Sequence, residues 1–75
     1  MGKRKQIDLS NPEEIRKSIG ENQTEFWRRF GITQSGGSRY EGGRLPARPT
    51  QLLMALYLTG RVTDEDLAEA AKAIG

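Results

Sequence analysis

Within the six residues from Gln34 to Arg39 stand four hydrogen-bonding side chains, Gln34, Ser35, Ser38 and Arg39, where an ordinary surface helix favours Glu, Lys or Ala. Arginine can hold O6 and N7 of guanine with two parallel hydrogen bonds, and glutamine can hold N6 and N7 of adenine in the same way. The chemistry these types suit is the reading of base edges in the major groove of duplex DNA. The shorter Ser35 and Ser38 suit a base or a phosphate oxygen. The competing reading is a merely solvated surface, so the argument turns on whether a scaffold holds these residues outward together.

Such a scaffold is written into the flanking residues. Asn22 and Glu25 stand at the spacing of a reciprocal capping box, which satisfies two otherwise unpaired N–H groups at a helix start. Phe26 and Phe30 follow four apart and share a buried face. Gly31 falls where a left-handed helix end favours glycine, and Thr33 is placed to cap the next helix, which begins at Gln34-Ser35 and ends at Gly42-Gly43. The stretch from Asn22 to Arg44 is thus two short helices joined by a glycine turn, with the outer helix at about 34–41. Trp27, Phe26, Phe30 and Tyr40 are expected in the core rather than as a base-stacking platform. Arg28 and Arg29 are expected on the wet face of the inner helix.

The remaining elements also read as helices. Asn11-Pro12-Glu13-Glu14 is a helix start with a cap, a first-turn proline and favourable charges, followed by Ile15 and Ile19 on an inner face and Gly20 as the stop. Arg44 to Pro49 reads as a stiff, basic connection. Gln51 to Thr59 is nearly continuously apolar; Leu, Met and Ala favour a buried helix there over a strand, and no partner strand is visible. Thr63 caps a last helix with Asp66 at its third position, and Leu67, Ala70, Ala71 and Ile74 line one narrow face.

The chain's 75 residues bound it to one small domain. Residues 1–10 read as a flexible basic N-terminal arm, with Lys3, Arg4 and Lys5 in a row, and residues 11–75 as the folded domain. Cysteine and histidine are both absent, which removes disulfides, thiol and imidazole catalysis and the usual zinc sites. No cofactor or metal site is expected, and no carboxylate is paired as an enzyme would need. No apolar run approaches the roughly 20 residues of a membrane span, and the expected compartment is the cytoplasm. The net charge of +2 is unevenly spread: residues 1–61 hold 11 Lys/Arg against 6 Asp/Glu, so the cations lie with the glycine-turn motif.

Taken together, Arg16, Asn22-Gln23, Phe26, Phe30-Gly31-Ile32-Thr33, Arg39-Tyr40-Glu41 and Gly43-Arg44 make the chain resemble the lambda-repressor-like helix-turn-helix family, the phage repressor and Cro type also called XRE. The resemblance covers roughly residues 12 to 59. It implies an all-α, compact five-helix domain whose third helix lies in the major groove. It also implies that Gln34, Ser35 and Arg39 touch bases, and that Gln23, Arg44 and Arg48 approach phosphates; Ser38, by its short reach, is expected at a phosphate as well. Arg16 and Glu41 would form a partly buried structural ion pair. Trp27 stands where the family carries a small residue, and Gly37 where it carries a branched one. Because these positions face each other in that fold, the indole is expected to fill the space left by the missing side chain.

The resulting expectation is a sequence-specific, double-stranded DNA-binding transcriptional regulator, a repressor, acting as a homodimer on a palindromic operator. The alternative is an antitoxin-like module that binds a partner protein, with DNA binding secondary; the acidic C-terminal helix would suit a basic partner.

Overall fold

Asn11 and Pro12 set the first helix boundary. In the computed structural model, which describes residues 7–75, Asn11 Oδ1 accepts the backbone N–H of Glu14 and Pro12 takes the first position of α1 (Pro12–Ile19). Gly20, at φ +88°, ends that helix in the left-handed region. α2 (Gln23–Arg28) opens on the expected capping box: Asn22 Oδ1 accepts the N–H of Glu25 at 2.8 Å, and Glu25 Oε1 accepts the N–H of Asn22 at 3.3 Å. The helix stops short of Phe30, and the chain turns through Gly31 at φ +77°. α3 (Gln34–Glu41) begins where Thr33 Oγ1 accepts the N–H of Gly36 at 3.1 Å. α4 (Arg48–Leu58) and α5 (Asp64–Ile74) follow, the latter on a second capping box made by Thr63 and Asp66. The fold is all-α, with five helices and no strand among the described residues.

The helices converge on a small aromatic core. Phe26, Trp27 and Met54 are fully buried and Phe30 nearly so, with Ile15, Ile32, Tyr40, Leu53 and Tyr57 packed around them. Phe26 meets Trp27 edge to face at 5.1 Å between centroids, and Phe30 meets Tyr57 likewise at 5.7 Å. The aromatics therefore hold α2 against α3 and α4 and are not available to stack on bases. Leu9 also packs against this cluster, whereas Lys3, Arg4 and Lys5 lie outside the described residues.

Three expectations are corrected. α4 starts at Arg48 rather than near Gln51, because a proline in the first turn lacks only an N–H that has no helical acceptor there; Pro49 opens the helix instead of preceding it. α4 is also not buried all round: Met54 is enclosed, but Leu52 and Leu56 are 53% and 42% exposed. The narrow face expected on α5 is present, with Leu67 against the core and Ala70, Ala71 and Ile74 exposed.

Arg29 is the third correction. Its side chain is only 10% exposed, although the sequence reading put it on the wet face. It grips the Glu21 carboxylate with both terminal nitrogens, bonds Asp64 at the start of α5 through Nε, and lies over the Tyr57 ring at 4.6 Å. Tyr57 Oη in turn donates to Asp64 Oδ2 at 3.2 Å. The guanidinium thus ties the α1–α2 turn, α2, α4 and the head of α5 together, which stacking and bidentate pairing suit arginine to do and lysine not. The paired carboxylates hold Arg29 further into its charged form, against the opposing effect of burial.

Candidate nucleic-acid interface

α2 and α3 pack directly against each other, and their contact decides which face of α3 points outward. At Gly37, which is buried, a Cβ would lie 2.2 Å from Trp27 Cδ1 and 2.4 Å from Cγ. The indole of α2 therefore sits directly on the α3 backbone, as the size exchange requires. With Gly37 and Tyr40 turned inward, Gln34, Ser35, Ser38 and Arg39 are all exposed on the opposite side of the helix.

The exposed residues fall into two groups along α3. Gln34, Ser35 and Ser38 share a shallow depression with Gln23 at the start of α2. Arg39 shares a second with Arg44 and Leu45 of the following loop, beside Tyr40. Arg48 stands apart from both and opens onto a groove with Leu52, Leu56 and Leu9. Of the residues expected at such a surface, six thus flank α3 and one lies on a different face of α4. Leu45, 59% exposed beside Arg39 and Arg44, was not singled out in the sequence, where an apolar residue between Arg44 and Pro46 reads only as loop.

Behind this surface lies the ion pair. Arg16 donates from Nε to Glu41 Oε2 at 2.8 Å and from Nη2 to Oε1 at 3.0 Å, with side-chain exposures of 13% and 6%. Its remaining nitrogen donates to the Glu21 carbonyl at 2.9 Å. Two further donors reach the same carboxylate: Trp27 Nε1 at 2.8 Å and Gln23 Nε2 at 3.0 Å. Neither was legible as a Glu41 partner, because each bond joins residues at least 14 apart. Every buried side-chain polar atom among the described residues has a partner.

This environment carries a pH prediction. Burial alone would raise the Glu41 pKa, but hydrogen bonds from Arg16, Trp27 and Gln23 outweigh it and hold the carboxyl below its ordinary value of 4.5. Asp64 is likewise held below 3.8, chiefly by Arg29. A group whose pKa is lower folded than unfolded contributes stability above its unfolded pKa and loses it as pH falls through the folded value. The urea midpoint should therefore be level from neutrality to about pH 5 and fall below about pH 4.5, and Glu41→Gln should flatten part of that fall. A midpoint unchanged down to about pH 3 would contradict this account.

Two helices set by a glycine turn, the inner one buried on an aromatic face and the outer one presenting a polar and cationic stripe, define a DNA-binding helix-turn-helix protein. A family model for the RsaL-like helix-turn-helix domain matches residues 13–57, and the chain belongs to that family. It is 42% identical to a chain in a structure solved for the quorum-sensing repressor RsaL of Pseudomonas aeruginosa. That alignment covers 79% of this chain and 87% of the other, with a TM-score of 0.71. A search of curated proteins found no match.

Proposed function

We propose that this protein is a sequence-specific, double-stranded DNA-binding transcriptional repressor and not an enzyme. The observation that carries the reading is the exposed stripe of Gln34, Ser35, Ser38 and Arg39 on a helix whose opposite face is pinned by Trp27. Gln34, Ser35 and Arg39 read base edges, while Gln23, Ser38, Arg44 and Arg48 approach the phosphate backbone and set register. Arg48, on its separate face, reaches a phosphate only beyond the end of α3. Family membership and the likeness to a repressor structure support the DNA-binding repressor reading. The five-helix order and the Arg16–Glu41 pair support a wider kinship with the lambda-repressor-like, XRE-type proteins.

Residues 11–75 act as the DNA-binding domain and residues 1–10 as a basic arm. One such domain offers a small footprint, so the protein works as a homodimer on a palindrome whose half-sites lie about one helical turn apart. The site of action is the cytoplasm; no helix among the described residues is long and apolar enough to cross a membrane.

Selection from a random duplex library at about 150 mM salt tests the reading, since non-specific electrostatic binding is weak there. Enrichment of a palindrome is the expected result. A folded protein that enriches no sequence would overturn it and favour a module that binds a partner protein.

A further inference from the structure

Glu41 does more than pair with Arg16. An ionised carboxylate accepts hydrogen bonds and never donates, so a neighbouring amide can meet it in one sense only. Gln23 must therefore turn its nitrogen inward to Glu41 Oε1, at 3.0 Å, and its carbonyl outward. That carbonyl is the acceptor for Gln34 Nε2, at 3.5 Å. The second amide is thereby asked to turn its nitrogen toward Gln23. A buried charge thus sets the sense of an exposed amide two side chains away. The carboxylate itself cannot swing, because Arg16 clasps both its oxygens and the fully buried indole of Trp27 holds Oε2.

We propose that Glu41 is a specificity-positioning residue: acting through Gln23, it fixes which end of the Gln34 amide meets the base edge. The inference rests on the base-reading role of Gln34 given above. To read adenine, the amide must give an N–H to N7 and take the N6 proton on its carbonyl. An unanchored amide turns over freely and serves base pairs that offer donor and acceptor in either order. An amide anchored at its nitrogen serves one order. Each nitrogen keeps a second N–H, which leaves Gln34 able to reach N7 and Gln23 able to reach a phosphate while the link holds.

The test uses the full chain and the duplex recovered by selection. The base pair read by Gln34 is the one at which Gln34→Ala levels the affinities of the four possible pairs. Glu41→Gln replaces an acceptor with a group that can show Gln23 either end. Gln23→Met cuts the link and leaves the Arg16–Glu41 pair in place, so it decides alone if Glu41→Gln does not fold. In each folded variant, discrimination at the Gln34 base pair should fall about tenfold. Discrimination at the pair read by Arg39 should stay within about twofold, as for an independent site. Because both are ratios, a general loss of affinity or of folded protein cancels.

Retained discrimination at the Gln34 pair, or equal loss at both pairs, would overturn the inference and leave the DNA-binding function standing. A folded wild-type chain that selects no duplex would overturn the base-reading role and this inference with it.

Discussion

Replacing Gly37 with alanine is expected to destabilise the protein by about 2 to 3 kcal/mol, although alanine is the better helix former by about 1 kcal/mol. The added methyl would stand 2.2 Å from Trp27 Cδ1, a separation that atoms do not sustain, so either the indole or α3 must move. The indole is poorly placed to yield: it is fully buried, packs edge to face on Phe26, and donates Nε1–H to Glu41. A domain of 75 residues has a total stability of only about 4 to 11 kcal/mol, so the loss is a large share. Gly36 offers the contrast. A methyl there would meet the Ile32 Cγ2 side-chain atom at 3.0 Å and Thr33 Oγ1 at 3.5 Å; the second is an ordinary contact and the half-buried Ile32 side chain can give, so Gly36→Ala should be close to neutral.

Trp27→Ala alone should cost about 3 to 5 kcal/mol through the cavity it opens. Joined to Gly37→Ile, which refills the space from the other side, the total should be smaller than the sum of the two by more than about 1 kcal/mol. Urea unfolding of the four proteins measures this cycle. Additivity within about 0.5 kcal/mol would show that the two residues do not share one volume.

This pair also shows what was legible in the chain before its structure. Local signals carried the helix starts: Asn11-Pro12, the Asn22–Glu25 and Thr63–Asp66 boxes and Thr33 all act within three residues, and each forms the cap its spacing implies. The Trp27–Gly37 exchange and the Arg16–Glu41 pair were reachable only through family resemblance, because the partners lie on different helices. Arg29 was not reachable, since Glu21, Tyr57 and Asp64 come from three separate segments and nothing local distinguishes it from Arg28. Pro49 misled for a related reason: whether a proline precedes a helix or opens it depends on the backbone of the following turn rather than on its own type. The links from Glu41 to Gln23 and on to Gln34 needed side-chain geometry that no periodicity encodes.

Arg39→Ala and Arg44→Ala should separate the two kinds of contact that a DNA reader makes. Both arginines flank the same depression beside α3, and both are exposed, so charge alone predicts equal effects. Their placement predicts unequal ones. Arg39 projects from the outer face of α3, four residues after Ser35 and five after Gln34, on the exposed stripe proposed to face the groove. Arg44 lies beyond the helix end, in the loop that runs toward α4, where the proposed docking would bring the duplex backbone. Loss of Arg39 should therefore weaken the selected duplex by about 1 to 3 kcal/mol, leave random duplex little changed, and relax preference at one base pair. Loss of Arg44 should weaken both duplexes alike and lower the slope of log affinity against log salt by about 1, the signature of one phosphate contact removed. Titrations of both variants on both duplexes, at several salt concentrations, give these quantities directly. Equal losses on selected and random DNA for Arg39→Ala would place Arg39 among the phosphate contacts, and base reading would then rest on Gln34 and Ser35 alone.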